Sequence, residues 1–244
     1  MTTADFEVKL PQERGLSQDQ EYCFVTVDGR TRKIRFHDYD EIYAVPGLYE
    51  YLFHGLLQCR SPQLVVSLLV NELLGHGMQP AAQRVLDIGG GSGLVGAELR
   101  SAGFPVVWAL DRDDWARSAA ERDRPGVYDR YLVSDLKSLP EEILLELRTV
   151  AFTCFLCVAA LGFDDISTEG FERFVEILPV SGWLALSFHE DLATKQTGRF
   201  ASFIRRLAAE ERLNILRRTR YRHRLAMDGR PIYYVSIIGT LKPL

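Results

Sequence analysis

A glycine-rich run constrains the fold of this chain more than any other stretch. Residues 85–96 read VLDIGGGSGLVG, which is an apolar strand with an acid near its end, a turn and the start of a helix. Because glycine has no Cβ, such a turn can adopt positive φ angles and let a ligand lie against the main chain. The helix that follows offers unpaired N–H groups and a partial positive charge. The run therefore predicts a ligand site at this turn.

From residue 83 onward, apolar strands and helical patterns alternate. Strands are predicted at residues 84–88, 105–110, 130–133, 152–158 and 182–188. Helices are predicted at residues 93–102, 114–123, 140–147, 168–178 and 195–212. Two final β-rich runs, 213–221 and 231–241, have only a turn between them. The alternation predicts an α/β fold with a Rossmann-like, mostly parallel sheet of seven strands, closed by a C-terminal antiparallel hairpin.

The N-terminal third follows a different pattern. Residues 22–36 predict a β-hairpin, because Asp28 and Gly29 form a turn signal between two alternating runs. Three further segments follow: an aromatic-rich stretch at 37–47, helical spacing at 48–58, and a helix from the N-cap Ser61 and Pro62 to about residue 74. We expect residues 1–79 to form an N-terminal hairpin and helical lid, and residues 80–244 to form the main domain.

The composition is typical of a soluble globular protein. Of the 244 residues, 47% are hydrophobic and 25% are charged, and no apolar run reaches the roughly 20 residues of a membrane span. Residues 1–7 lack a signal-peptide pattern. We therefore expect a cytoplasmic protein that does not bind membranes, and the sequence leaves its oligomeric state open.

Two other motifs have alternative explanations. Cys154 and Cys157 form a CxxC, but they lie in an apolar run without a second pair, so no metal site is expected. The arginine-rich run at 217–224 would place Arg218, Arg220, Arg222 and Arg224 on one face of a strand. Because the formal net charge is −4, nucleic acid is a less favoured partner than a small molecule.

Three acids come at or next to the carboxyl ends of successive predicted strands. Asp111 follows Asp87 by 24 residues, and Asp135 follows Asp111 by 24. Ligands of open α/β sheets bind outside these strand ends. A strand-end acid is often only a helix N-cap, a role that Asp113 fits. Three ionised carboxylates along one rim nevertheless favour a ligand rich in hydrogen-bond donors.

From about residue 80 to its end, the chain resembles the class I S-adenosylmethionine-dependent methyltransferases. The resemblance rests on the acid-x-Gly-x-Gly-x-Gly motif at 87–93, the two later acids and the closing hairpin. It implies that S-adenosylmethionine is the cofactor. It also implies these cofactor-binding residues: Asp87, Gly89, Gly90, Gly91, Gly93, Asp111, Arg112, Ser134, Asp135, Leu136 and Cys157.

The resemblance also assigns a role to most of these residues. Gly89 and Gly91 would let the methionine part lie on the backbone, and Asp87 would orient the turn and the cofactor's ammonium, directly or through water. Asp111 would hold the ribose hydroxyls, and Arg112 would flank the adenine. The motif at 134–136 would accept from the adenine amino group. Cys157 would end the fourth strand, near the methionine end.

A shorter match concerns residues 126–136. Their GVYD…DL pattern resembles a subgroup of small methyltransferases that includes the Williams-Beuren-region methyltransferase. This match does not identify the acceptor.

Two alternatives to a methyltransferase remain. Residues 91–96 satisfy GxGxxG and Asp111 follows Gly93 by 18 residues, as in NAD(P)-dependent oxidoreductases. Against this, Asp87 would bring a carboxylate close to a pyrophosphate, and the closing hairpin fits methyltransferases better. A cofactor-binding scaffold or partner protein with little catalysis is the second alternative, because the sequence shows no clear catalytic base.

The acceptor site is less defined. His189 follows the predicted fifth strand and is the best candidate base, with Glu190 and Asp191 beside it; a solvated turn histidine is the alternative. Asp164 and Asp165 are similar candidates, or caps of the next helix. No Asn-Pro-Pro-Tyr-type or Pro-Cys motif follows the fourth strand. We expect methyl transfer to O, N or a carboxylate of a small molecule.

Tyrosines of the N-terminal region suit a small organic acceptor. Tyr39, Tyr43 and Tyr49 each combine a flat apolar ring with a polar tip. We expect them to close over the cofactor and acceptor. The alternative is that they only pack the lid against the sheet.

Overall fold

The computed structural model describes residues 5–161, 166–177, 182–194 and 198–242. At its N-terminal end, a small antiparallel sheet contains strands β1 (Phe6–Lys9), β2 (Tyr22–Val27) and β3 (Arg30–Arg35). Asp28 and Gly29 both have positive φ angles, as a two-residue turn of a right-twisted hairpin requires. The predicted hairpin is therefore confirmed, and β1 is an addition that the sequence did not indicate.

Three helical elements connect the small sheet to the large one. They are helix α1 (Tyr39–Tyr43), a π-helical segment (Glu50–Leu56) and helix α2 (Ser61–Gly75). Helix α2 begins where predicted, but Ser61 does not cap it, because its hydroxyl bonds to His223 and Tyr221 instead. Helix α2 also packs its apolar side on the large sheet, whereas we expected it in the lid. The domain division at residue 79 stays a prediction.

The large sheet has seven strands in the predicted class of topology. In chain order they are β4 (Arg84–Ile88), β5 (Val106–Asp111), β6 (Arg130–Val133), β7 (Cys154–Leu161), β8 (Gly182–His189), β9 (Leu213–Leu225) and β10 (Pro231–Leu241). Their spatial order is β6-β5-β4-β7-β8-β10-β9. Strand β10 is antiparallel to both β8 and β9, and the pairings among β4, β5, β6, β7 and β8 are parallel. The predicted Rossmann-like sheet with a closing antiparallel hairpin is confirmed.

Helices cover both faces of this sheet. They are α3 (Leu94–Ser101), α4 (Asp114–Asp123), α5 (Glu141–Val150), α6 (Thr168–Ile177), α7 (Glu190–Thr194) and α8 (Arg199–Ala209). Helices α2 and α3 contribute to one buried cluster, and α5, α6 and α8 contribute to another that contains Phe171, Phe200 and Phe203. None of the helices in the described ranges is long and apolar enough to cross a membrane.

Strand β9 departs from the predicted alternation at its far end. Arg222 pairs with Tyr233 of β10 and Arg224 pairs with Ile232, so His223 is an extra residue between two paired ones. Such a β-bulge changes the direction of the side chains around it. As a result, His223 and its neighbour Arg224 are both buried.

The bulge corrects our expectation of a four-arginine face. Arg224 lies in the interior, away from the solvent-exposed arginines of the strand. Two of the exposed arginines are ion-paired, Arg217 with Glu72 and Arg220 with Glu190. These carboxylates would compete with a phosphate backbone for the same guanidinium groups. Strand β9 therefore presents fewer exposed and unpaired arginines than its sequence suggests.

Candidate functional site

A cavity of about 620 Å³ lies at the carboxyl ends of β4, β5 and β7, under the N-terminal elements. Its volume is in the range of small-molecule sites, about 300–1,000 Å³. Most residues predicted to bind the cofactor or acceptor line it: Gly89, Gly90, Gly91, Asp111, Arg112, Ser134, Asp135, Leu136, Tyr39, Tyr43 and Tyr49. Four do not: Asp87, Gly93, Cys157 and His189. The structure therefore brings the predicted site together only in part.

The glycine-rich turn forms one wall of the cavity. At Gly89, φ is +75°, and a Cβ there would approach the Cβ of Ala160 to 2.5 Å. At Gly91, φ is +52°, and a Cβ would lie 3.0 Å from the hydroxyl of Tyr43. A side chain at either position would strain the backbone, because the φ angle is positive. It would also come too close to Ala160 or to Tyr43. Glycine is thus required both for the backbone shape and for the space above it.

Asp87 lies under the turn rather than in the cavity. Its side chain is fully buried, and the hydroxyl of Tyr128 donates to Oδ2 at 2.7 Å. The same hydroxyl lies 3.1 Å from the carbonyl of Gly90. Oδ1 has no hydrogen-bond partner among the described residues. Burial raises the pKa of Asp87 to about 7, although the hydrogen bond from Tyr128 opposes this shift. Asp87 therefore supports the turn, and its contact with a cofactor ammonium stays a prediction.

We expect the Asp87→Asn variant to gain stability relative to the native protein as the pH rises from 4 to 8. The carboxyl has a higher pKa when folded than when unfolded, so the folded state loses stability as the pH rises from about 4 through 7. Asparagine removes this loss, which we expect to be roughly 2–4 kcal/mol at pH 8. Urea unfolding of both proteins at several pH values measures it.

The matched control for this experiment is Asp114→Asn, which changes an exposed carboxylate on helix α4. A difference in free energy of unfolding between the Asp87 variant and the native protein that stays constant between pH 4 and 8 would contradict the assignment.

Asp111 forms the part of the rim next to the turn. The backbone N–H of Gly91 donates to its Oδ2 at 3.0 Å, and the N–H of Asp113 donates to its Oδ1 at 3.1 Å. Burial raises the pKa of Asp111, and these N–H groups oppose the shift. Because a carboxylate has about four acceptor positions, Asp111 can accept further hydrogen bonds from a ligand.

The other acids near the rim act partly as caps. Asp113 accepts from the N–H of Trp115 at 2.9 Å, which confirms its predicted N-cap role. Asp135 is exposed and accepts from the N–H of Lys137 at 2.8 Å. It thus combines the capping role with a position on the cavity wall, where a carboxylate oxygen can also accept from a ligand.

The covering segment (residues 39–56) closes the cavity from above. The rings of Tyr39, Tyr43 and Tyr49 follow one another at centroid distances of 5.8 and 5.2 Å. Tyr43 is buried against alanines of α4, so the tyrosines both line the cavity and pack the segment onto the main domain. The packing role of Tyr43 is therefore observed, and closure of the tyrosines over a cofactor and acceptor stays a prediction.

An ion pair fastens the covering segment to the rim. Arg124 of the main domain donates to Glu50 at 2.7 Å and to the carbonyl of Ser92 at 3.0 Å. The Ser92 hydroxyl donates to the same Glu50 oxygen at 3.2 Å. Because Ser92 belongs to the glycine-rich turn, this contact ties the cover directly to the predicted ligand site.

The predicted position of Cys157 at the end of its strand is wrong. Cys157 lies inside β7 and is fully buried, because the strand continues to Leu161 through a bulge. The residues of β7 that line the cavity are instead Val158, Ala159 and Ala160. We expected the strand to end at residue 158, where the continuous apolar run of 152–158 ends. Such a run does not reveal that the strand continues through a bulge.

His189 ends β8 as predicted, but it does not line the cavity. Its ring packs edge-on against Tyr234 at a centroid distance of 5.5 Å, and Tyr234 does line the cavity. The N–H of Asp191 donates to Nδ1 of His189 at 3.2 Å. A catalytic role for His189 stays a prediction, and Asp164 and Asp165 lie outside the described residues.

The structure also brings to the cavity a group of residues that were not among the predicted site residues. We define the inner end of the cavity as Phe36, Phe53, Cys59, Ser61, His223, Arg224 and Tyr234. They come from β9, β10 and the N-terminal region. Their only sequence signal is the polar pair 223–224 near the end of a β-rich run, which strand alternation assigns to opposite faces.

Comparisons with known proteins find similarity in fold and no significant similarity in sequence. The sequence matches no protein-family model, and a search of curated sequences finds no significant match. Among solved structures, an S-adenosylmethionine-dependent methyltransferase from Clostridium acetobutylicum ATCC 824 is similar, with a TM-score of 0.53 and 12% identity over 80% of this chain and 96% of that one. A candidate RNA methyltransferase from Pyrococcus horikoshii has a TM-score of 0.50 and 13% identity, over 77% of this chain and 87% of that one.

At these identities the similarity establishes the fold alone. The chain has the fold of the class I methyltransferases, in agreement with the strand order of its large sheet. The narrower resemblance of residues 126–136 to the Williams-Beuren subgroup stays a prediction.

Proposed function

We propose that this protein transfers the methyl group of S-adenosylmethionine to O, N or a carboxylate of a small molecule. One observation carries the proposal: the glycine-rich turn and the Asp111 carboxylate are joined by the Gly91 N–H and form one rim of a covered cavity. In a class I methyltransferase fold, this rim lies at the carboxyl ends of the first two parallel strands, where such folds bind ligands.

The side chains of the rim suit the cofactor chemically. S-adenosylmethionine presents donors in its ribose hydroxyls, adenine amino group and ammonium, and carboxylates accept from donors. Asp111 would hold the ribose, and Ser134 and Asp135 would face the adenine. Leu136 and Ala116 supply apolar surface beside them. The backbone of the turn at 89–91 would support the methionine part.

When bound, the cofactor supplies a methyl group activated by a positively charged sulfur. The protein's own contribution is to align an acceptor with that group and to keep water out. The covering segment serves both purposes, because its tyrosines line the cavity and its Glu50 is tied to Arg124 and Ser92. The chain can therefore promote methyl transfer mainly by positioning.

The oxidoreductase alternative fits less well. A dinucleotide-binding sheet has the all-parallel strand order 3-2-1-4-5-6, whereas here antiparallel β10 lies between β8 and β9. Asp87 is also buried directly beneath the turn, where a pyrophosphate would need positive surroundings. Both observations favour the methyl donor.

Binding of the two ligands to the native protein distinguishes a methyl donor from a nicotinamide cofactor. We expect S-adenosylhomocysteine to bind the native protein and raise its melting temperature, and we expect NADH to do neither, because affinity for the folded state alone stabilises it. Stabilisation by NADH and not by S-adenosylhomocysteine would reject the proposal. Methyl transfer from labelled S-adenosylmethionine to a metabolite extract then separates an enzyme from a cofactor-binding scaffold.

A further inference from the structure

The inner end of the cavity contains a histidine that has no role in the proposed binding of the cofactor. His223 lies on β9, and four strands separate β9 from β5, whose end carries Asp111. The same cavity touches both residues. A molecule at the inner end would therefore face the cofactor across the cavity without competing for Asp111.

Buried hydrogen bonds hold the His223 ring in place. Its Nδ1 lies 2.6 Å from the hydroxyl of Ser61, which lies 2.7 Å from that of Tyr221. The Tyr221 hydroxyl lies 2.5 Å from the hydroxyl of Ser187 on β8. The ring also stacks on Tyr234 with a centroid distance of 3.9 Å. These contacts leave the ring no freedom to turn.

The direction of this chain determines what Nε2 can do. If Nδ1–H donates to Ser61, each hydroxyl in turn can donate to the next, ending at Ser187. Nε2 then carries a lone pair, because a neutral imidazole has one donor and one acceptor nitrogen. No described residue is hydrogen-bonded to Nε2, and His223 lines the cavity. In this tautomer Nε2 is available to accept a proton from a bound molecule.

The surroundings keep His223 neutral. Burial is the main cause that holds its pKa well below the usual value, and the positive charge of Arg224 acts in the same direction. The ionisable groups near the ring are Cys59, His54, Tyr221, Arg224, Tyr234 and His189. Through Arg224 the ring also neighbours Glu21 and His37, and through His189 it neighbours Glu190 and Asp191. A neutral imidazole can accept a proton, whereas a protonated one cannot.

The charges at the inner end argue against an anionic acceptor. Arg224 is the one residue of the inner end with a permanent positive charge, and it is paired with Glu21 at 2.6 Å with both side chains about 2% exposed. The Glu21 carboxylate would repel an acceptor carboxylate placed beside this pair. Because Arg224 is already paired, the acceptor would have no counter-ion there. The aromatic rings of Phe36, Phe53 and Tyr234 suit an uncharged planar molecule.

We infer that the methyl acceptor is an uncharged, planar compound with an O–H or N–H group, bound at the inner end with that proton directed to Nε2 of His223. The inference rests on the proposed function. In the transfer, a lone pair of the acceptor atom forms the bond to the methyl carbon, and the carbon–sulfur bond breaks with its electron pair staying on sulfur. The acceptor's proton goes to Nε2. His223 is thus the catalytic base of an O- or N-methylation.

Three probes of similar shape test this assignment in the presence of saturating S-adenosylhomocysteine. Phenol carries the proton, anisole lacks it and benzoate is charged. We expect phenol to bind roughly tenfold more tightly than anisole, because one buried hydrogen bond distinguishes them, and benzoate to bind most weakly. We also expect phenol, but not anisole, to shift the Nε2 resonance of His223 in a long-range proton–nitrogen NMR spectrum of the native protein.

Two variants complete the experiment. His223→Asn keeps a group that can bond to Ser61 but removes Nε2, so phenol should then bind no more tightly than anisole while S-adenosylhomocysteine affinity is unchanged. His76→Asn, which changes an exposed histidine outside the cavity, is the matched control and should leave phenol binding as it was. The NMR shift in the native protein does not depend on any variant being folded.

Several results would overturn the assignment. They are equal binding of phenol and anisole, tightest binding of benzoate, no phenol binding at millimolar concentration, or a larger loss in the His76 variant. Failure of S-adenosylhomocysteine to bind the native protein would instead reject the proposed function.

Discussion

Replacing Glu21 with glutamine is expected to lower the free energy of unfolding by about 3 kcal/mol. The variant keeps the shape of the side chain but leaves the Arg224 guanidinium charged and buried without its counter-ion. Removing one member of a buried ion pair costs more than the pair contributes, because the remaining charge has lost its hydration. Urea unfolding monitored by circular dichroism measures the loss.

The effect should be large because the pair connects two parts of the fold. Glu21 precedes β2 in the small sheet, and Arg224 lies on β9 in the large one. Glu21 also accepts from the backbone N–H of Met227, which packs into the N-terminal core. The pair therefore supports the attachment of the N-terminal region as well as the inner end of the cavity.

A second substitution separates charge from packing. The double variant Glu21→Gln/Arg224→Met removes both charges and should recover at least 1 kcal/mol of the stability lost in the single variant. Glu141→Gln, which alters an exposed acid 4.0 Å from Arg148, is a control and should change stability by less than about 1 kcal/mol. A loss below 1 kcal/mol for Glu21→Gln, or additive effects in the double variant, would contradict this account.

Replacing Asp111 with alanine is expected to weaken S-adenosylhomocysteine binding roughly 10- to 100-fold. Hydrogen bonds to a charged acceptor contribute about 1.5–3 kcal/mol, and the variant removes the acceptor proposed for the ribose. It also frees the Gly91 N–H that the carboxylate holds at 3.0 Å, so the turn loses a support. Isothermal titration calorimetry measures both dissociation constants.

The control for this prediction is Asp114→Ala. Asp114 lies three residues later and is exposed, and it pairs with Arg117 outside the cavity. Its replacement should leave the affinity within about twofold of the native value. Equal affinities of the native protein and the Asp111 variant, with both folded, would show that the rim does not hold the ribose.

Features that depend on local rules were predicted correctly. The turn at Asp28 and Gly29, the N-cap Asp113 and the glycine-rich run each follow from the backbone preferences of a few adjacent residues. The order of strands and helices also followed from hydrophobic periodicity. The rim of the cavity could be located because strand ends of a parallel sheet meet at one edge.

Features that depend on distant partners were not predictable. Ser61 fits an N-cap, yet its hydroxyl bonds to His223, which is 162 residues away in the chain. His223 and Arg224 are buried together only because β9 is bulged against β10. Cys157 was placed at a strand end, although β7 continues past it alongside β8. In each case, pairing between strands decides the outcome.

The central claim is that the cavity binds the methyl donor with its reactive end toward the inner end. A crystal structure of the complex with S-adenosylhomocysteine tests this claim most directly. We expect the ribose hydroxyls on the Asp111 carboxylate, the homocysteine part along Gly89 and Gly91, and the sulfur facing the side of His223. Binding of S-adenosylhomocysteine outside the cavity, or with its adenine at the inner end, would contradict the account.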